Sequence, residues 1–269
     1  MSVLSANEVT AAADSLDVAE RTRVQTGLLS LRHPGMTMDD AYAIQAAWVK
    51  RKLAAGRKVI GWKIGLTSKA MQSALNIDNP DSGVLLDDML FADGATVSND
   101  RFIQPRIEAE IAYVMKEPLK GPNVSLFDVL NATDYVTPAL EILDTRILRV
   151  DPETNKARTI VDTISDNAAN AGIVLGGRAV RPDQADLRWV GAIVSRNGQV
   201  EETGLGAGVL NDPSRAIAWL ANRLAEYGDH IEAGQVVLAG SFIRPIEARH
   251  GDTIVADYGP LGTVSCFFR

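Results

Sequence analysis

The chain has 269 residues, 46% of them hydrophobic and 23% charged, with a formal net charge of -7 at pH 7. This is ordinary globular composition in a chain long enough to bury a sizeable core, and an acidic balance without a basic stripe argues against a nucleic-acid partner. The start lacks a basic and apolar leader, no run approaches the ~20 apolar residues of a membrane span, and the single cysteine, Cys266, excludes disulfides and thiolate metal clusters within one chain. A cytoplasmic protein without membrane contact is expected, with Cys266 as a buried core thiol.

In chain order, Ser5-Ala-Asn-Glu8 is a capping box that opens a helix to about Gln25. Thr37 caps a second helix, in which Ala41, Ile44 and Trp48 recur at helical spacing and Gly56 is the stop. From Lys58 the texture changes to short β-like runs separated by Gly, Pro, Asn and Asp: Val59 to Ile64, Ile107 to Met115, Val136 to Leu143, Ile173 to Leu175, Trp189 to Arg196 and Val236 to Leu238. Asn197-Gly198 is a strong hairpin signal, because a type I′ turn needs two residues tolerant of positive φ. A helix over Asp212 to Tyr227 has Asp212 as N-cap, Pro213 at its first position, Gly228 after its end, and Ile217, Leu220 and Leu224 as its buried stripe. Gly251-Asp252 and Tyr258 to Gly262 separate the last strands. Strands and helices do not alternate as a doubly wound sheet requires. The expectation is an α+β fold with a helical cap region over 1–57 and a β-rich catalytic domain over 58–269.

The chemistry concentrates in two apolar runs. In Arg106-Ile-Glu-Ala-Glu-Ile-Ala-Tyr-Val114, alternation puts Glu108 and Glu110 on one strand face, and neither face is otherwise polar. Glu141 lies in a matching frame, Ala139-Leu-Glu-Ile-Leu143. Buried unpaired carboxylates are costly, so they need a cation or must take up protons. Three carboxylates without Cys or His beside them suit hard Mg2+, or Mn2+, better than zinc. An edge strand whose glutamates face water is the alternative.

Lys63, in Gly61-Trp-Lys-Ile-Gly-Leu-Thr-Ser68, shares a strand face with Val59 and Gly61, so its ammonium enters an enclosed space or snorkels outward. A desolvated lysine near a cation loses its proton more readily, which suits acid/base work. Asp78 and Asp81 lie in Asn76-Ile-Asp-Asn-Pro-Asp-Ser-Gly83, which reads first as a turn. Asp162 to Asn167 and Ala239 to Phe242 offer hydroxyls and backbone amides to an anion, although helix capping and a turn explain them equally. Gly204-Leu-Gly-Ala-Gly208 lacks the spacing of a dinucleotide fingerprint, and His33, His230 and His250 are too scattered for a triad.

Gly61 to Ser68, Asn79-Pro-Asp-Ser-Gly83, Arg106-Ile-Glu-Ala-Glu110, Asn131-Ala-Thr-Asp-Tyr135, Ala139-Leu-Glu141 and Asp166-Asn-Ala-Ala-Asn170 together resemble the hydratase/decarboxylase branch of the fumarylacetoacetate hydrolase superfamily. The resemblance runs from about Lys58 to Phe268. It implies mixed β-sheets rolled around a metal cleft, an N-terminal helical part and a homo-oligomer. It further implies that Glu108, Glu110 and Glu141 hold Mg2+, that Lys63 and Asp81 move protons, and that Leu66, Thr67, Ser165 and Ser241 contact the substrate. The implied activity is hydration of a small 2-oxo-enoate or 2-hydroxydienoate diacid in aromatic catabolism. Alternatives are a 4-oxalocrotonate-type decarboxylase, a 2-hydroxypenta-2,4-dienoate hydratase and an inactive pathway partner. A carbon-carbon hydrolase would want a His-Glu pair, and no histidine lies near these motifs.

Overall fold

The computed structural model describes residues 3–69, 72–73 and 79–269. Helix α1 (Ala6–Thr22) begins at the expected capping box, with Ser5 as N-cap and Glu8 closing it, and ends before Gln25 because Arg23 turns left-handed. Helix α2 (Leu29–Arg32) is a single turn, and α3 (Met38–Ala54) starts from a second capping box between Thr37 and Asp40. Ala12, Ala13 and Leu16 of α1 pack with Ala41, Ile44 and Trp48 of α3 in a core that also takes Val84, Leu86, Ile147 and Ile164. Inside it Gln45 donates to the carbonyls of Ser82 and Ile164, both at 2.9 Å, which satisfies a buried amide and ties α3 to the β-rich part.

The strands are β1 (Val59–Gly65), β2 (Asp81–Leu86), β3 (Leu90–Ala92), β4 (Ala95–Val97), β5 (Arg106–Met115), β6 (Thr133–Leu143), β7 (Asn170–Leu175), β8 (Gly191–Arg196), β9 (Gln199–Leu205), β10 (Val236–Leu238), β11 (Ile246–Glu247), β12 (Thr253–Asp257) and β13 (Thr263–Phe268). Among the described residues they form a mixed eight-stranded sheet in the order β2-β1-β10-β5-β6-β7-β3, with β11 also on β5, and a five-stranded sheet in the order β4-β13-β12-β8-β9. Further α-helices among the described residues are α4 (Leu126–Ala132), α5 (Ile160–Ser165) and α6 (Pro213–Ala225). This is the expected α+β architecture, and among the described residues no helix is long and apolar enough to cross a membrane.

Alternation along β5 positions the site. Ile107, Ala109, Ile111 and Tyr113 enter the core shared with Ile254, Ala256, Val264, Cys266 and Phe268 of the smaller sheet and with Ile217 and Leu220 of α6. The other face carries Glu108, Glu110 and Ala112, and Ala112 packs with Leu85, Ala139, Ile173 and Leu238. Both faces of β5 are thus covered, as its two-sided apolar pattern requires. Cys266 is a free, buried thiol. Asn197 and Gly198 both have positive φ between β8 and β9, as a type I′ turn demands.

Two expectations fail locally. Asp81 does not make a turn: it opens β2, where Asp81, Ser82 and Gly83 pair with Gly65, Ile64 and Lys63, so ladder hydrogen bonds outcompete the local turn preference. Trp189 is not in a strand; its amide bonds back to the Asp186 carbonyl at 2.9 Å, its side chain is 71% exposed, and β8 begins at Gly191.

Candidate active site

Glu108 and Glu110 stand two apart on β5, and Glu141 on β6 is the antiparallel partner directly opposite Glu108, so register alone brings all three to one face. One carboxylate oxygen from each lies within 4.8 Å of the others. Glu110 and Glu141 are fully buried, whereas Glu108 is half-buried and faces a cleft. Glu110 Oε2 accepts from the Gly240 amide at 2.7 Å, and Glu141 Oε1 accepts from Asn170 Nδ2 at 2.7 Å. Glu110 Oε1 and Glu141 Oε2 have no hydrogen-bond partner among the described residues. Burial, reinforced by the charge of Glu141, pushes the Glu108 carboxyl up to about 8 and raises Glu110 well above its ordinary range. Bare buried oxygens on crowded carboxylates, with no sulfur or imidazole among them, fit a hard divalent cation such as Mg2+ or Mn2+, which would relieve the repulsion and fill the missing contacts.

Lys63, on β1, is only 3% exposed, and its Nζ lies 3.3 Å from Glu141 Oε1. The carboxylates around it set its protonation in the metal-free site. Burial works against the ammonium, but Glu141, Asp81, Glu108 and Glu110 together outweigh it and raise the group above its ordinary range. Asp81 is equally enclosed, and burial raises its carboxyl against the lowering effect of Lys63. Both converge over Gly65: a Cβ there would overlap Asp81 Oδ1 and stand 3.1 Å from Lys63 Nζ. Hydrogen is the one side chain that fits.

The cleft, of about 920 Å³, is lined by Lys63, Leu66, Thr67, Asp81, Glu108 and Ser241 among others. Leu66 holds a left-handed φ of 56°, a strained conformation for leucine that turns the chain at the end of β1. The Ser241 hydroxyl donates to the Ile243 carbonyl at 2.9 Å. Ser165 is placed differently: it does not line the cleft, and its hydroxyl donates to the Val161 carbonyl within α5. Asp78 lies outside the described residues. None of the three histidines lines the cleft.

Several groups that support the site had no role assigned from the sequence, although Asp166 to Asn170 was among the matched motifs. Asn170 steadies Glu141, as noted, and the Tyr258 hydroxyl donates to the Ala139 carbonyl at 2.6 Å while accepting the Glu110 amide at 3.0 Å, pinning β5 to β6 at the carboxylate cluster. Arg146, buried against Trp48 with 5.1 Å to the ring, forms an ion pair with Asp166 and donates to the carbonyls of Asp166 and Asn170. It thereby holds the left-handed turn Asn167-Ala168-Ala169 that leads into β7, and Ala168 and Ala169 form part of the cleft wall.

No family model matches the sequence. The chain is 57% identical over 256 residues to the 2-oxo-hept-4-ene-1,7-dioate hydratase of Escherichia coli, a match spanning 95% of this chain and 96% of that one. It superposes on the 4-oxalocrotonate decarboxylase of Pseudomonas putida G7, solved with magnesium and adipate, with a TM-score of 0.94 and 38% identity over the whole of both chains. A Yersinia pestis protein assigned to the fumarylacetoacetate hydrolase family shares the fold alone, with a TM-score of 0.56 and 14% identity over 77% of this chain and 92% of that one. With its sheets, its buried carboxylate cluster and near-complete alignment to these relatives, the chain belongs to the family of the 2-oxo-hept-4-ene-1,7-dioate hydratase and the 4-oxalocrotonate decarboxylase, and it has the fold of the fumarylacetoacetate hydrolase family.

Proposed function

We propose that the protein is a Mg2+-dependent hydratase converting 2-oxohept-4-ene-1,7-dioate to 4-hydroxy-2-oxoheptane-1,7-dioate in homoprotocatechuate breakdown, with Mn2+ as an alternative metal. The observation that carries this is the buried cluster of Glu108, Glu110 and Glu141, with Lys63 and Asp81 beside it, in a chain so similar to a named hydratase. Glu108, Glu110 and Glu141 would hold the cation, which would supply Lewis-acid polarisation of the substrate's 2-oxo oxygen.

The remaining work falls to the chain's own side chains. A proton leaves C3 and one is returned at C5, which brings the double bond into conjugation with the oxo group; water then adds at C4 and a proton is delivered to C3. Lys63 and Asp81 are the carriers, since both reach the cleft and both are shielded from bulk solvent. Each approaches the space over Gly65, which would let one accept a proton while the other donates. We place the enzyme in the cytoplasm as a homo-oligomer acting on a free small molecule, with no nucleic-acid or membrane partner.

The superposition on a decarboxylase favours one second reading, release of CO2 from 2-oxohex-3-ene-1,6-dioate. Incubation of the Mg2+-loaded protein with each diacid, following loss of the diene absorbance and identifying products by NMR, separates them. The hydratase reading requires the 4-hydroxy-2-oxo product from the seven-carbon diacid. CO2 in stoichiometric yield would replace it with the decarboxylase reading.

A further inference from the structure

Beyond the carboxylate cluster, the cleft carries two guanidinium groups that make no ion pair among the described residues. Arg149 and Arg158 both line it. They sit opposite one another on a small hairpin: the Arg158 amide donates to the Arg149 carbonyl at 2.9 Å, and Val150 pairs with Ala157 next along. The loop between them is stiffly built, with Asp151 Oδ1 accepting from the amides of Glu153 and Thr154 and from the Thr154 hydroxyl. Two like charges are thus forced together across a hairpin, an arrangement that is normally destabilising.

No described carboxylate comes within ion-pair distance of either, although Asp144 and Glu247 act on Arg149, and Asp166, Asp162 and Asp81 on Arg158, from farther off. Arg149 Nε reaches Gln104 Oε1 at 3.4 Å and Arg158 Nη1 reaches Thr145 Oγ1 at 2.8 Å, both neutral acceptors. Among the described residues neither guanidinium makes an ion pair, whereas Arg106 and Arg244, which also line the cleft, have Glu247 and Glu202 within 3.6 Å and 2.5 Å. Burial, followed by the charges of Arg158 and Arg106, pulls Arg149 down to about 10, and burial lowers Arg158 too. The charge of Arg158 is felt at Asp81, so this end of the cleft adjoins the proton-transfer pair. Paired, half-buried guanidinium groups with free donors form a fork suited to a carboxylate.

We propose that Arg149 and Arg158 receive the second, distal carboxylate of the substrate, so that the cleft selects dicarboxylic over monocarboxylic 2-oxo acids. This rests on the hydratase reading above, in which the first carboxylate and the oxo group lie at the glutamate cluster. A terminal carboxylate would neutralise the hairpin pair and use donors that the fold leaves open, whereas a ligand ending in a methyl group would leave both charges desolvated and unpaired.

The test compares two saturated, unreactive ligands that differ in one group, 2-oxoheptanedioate and 2-oxoheptanoate, by calorimetry with Mg2+ present. Wild-type protein is expected to bind the diacid tighter by about 10- to 100-fold, the loss typical of removing one partner of a charged pair. Arg149→Gln and Arg158→Gln should erase that preference by weakening the diacid while leaving 2-oxoheptanoate within a factor of about three. Arg149→Lys should keep part of it. In turnover, the loss should appear in KM for the seven-carbon diacid far more than in kcat.

Equal affinity of the wild type for both ligands, or variants that weaken both alike or neither, would overturn the assignment. Arg158 also holds Thr145, so misfolding of Arg158→Gln would show as loss of 2-oxoheptanoate as well; Arg149→Gln then decides. Absence of any dienoate turnover would instead remove the hydratase reading, and the calorimetric comparison would still report on the arginines.

Discussion

Gly65→Ala isolates the geometry of the proposed proton-transfer pair. Gly65 lies in β1 without a positive φ, so alanine fits its backbone and the perturbation is steric. The added Cβ would overlap Asp81 Oδ1 and stand 3.2 Å from Asp81 Cγ and 3.1 Å from Lys63 Nζ. Gly65 is paired directly with Asp81 across the β1–β2 ladder, so the backbone cannot yield easily and the carboxylate must move. A displacement of about 1 Å in a proton-transfer group costs on the order of 10²-fold in rate, or about 2.7 kcal/mol of barrier. Overpacking adds about 1–3 kcal/mol of lost stability. Steady-state kinetics, Mg2+ titration calorimetry and thermal unfolding separate these effects. The expected result is a kcat reduced about 100-fold with Mg2+ affinity held within about threefold, because the glutamates belong to β5 and β6 rather than to β1. A variant with wild-type kcat and unchanged Tm would refute the idea that Lys63 and Asp81 act from this shared position.

Glu110→Gln should weaken Mg2+ binding at least about 100-fold by calorimetry, more than loss of an outer-shell contact does, while the metal-free Tm holds because burial already favours the neutral carboxyl that glutamine replaces; undiminished metal binding would count against the site. Lys63→Met should retain Mg2+ and lose about 10²-fold or more in kcat, measured as diene loss, and an unchanged rate would return Lys63 to a packing role. The metal-free protein should be most stable in acid. Glu108 is raised to about 8 by burial and Glu141, so the folded form keeps a proton that the unfolded chain has released above its ordinary range, and stability falls as pH rises from about 4.5 to about 8. Chemical unfolding from pH 5 to pH 9 should show this decline, and Mg2+ binding at pH 7 should release protons, seen as a buffer-dependent calorimetric enthalpy. A flat pH profile would contradict the crowding of the carboxylates.

Local signals carried much of the architecture. Capping boxes at Ser5 and Thr37, the Asn197-Gly198 turn and the Asp212-Pro213 helix start lie in short stretches whose hydrogen bonds close within a few residues, and the structure has each of them. The two-sided apolar frame around Glu108 and Glu110 likewise announced buried carboxylates, since alternation is a property of a strand by itself. What no local pattern could convey was partnership. Asp81 reads as a turn residue until β2 pairs with β1, which brings its carboxylate and Lys63 to the same space over Gly65. Glu141 joins the other glutamates because β5 and β6 align at one particular register, and Arg149 and Arg158 become neighbours only when their hairpin closes against the cleft. Register and charge crowding arise between segments distant in the chain, so the candidate site was assembled by tertiary contacts even where its glutamates and Lys63 were visible from the start.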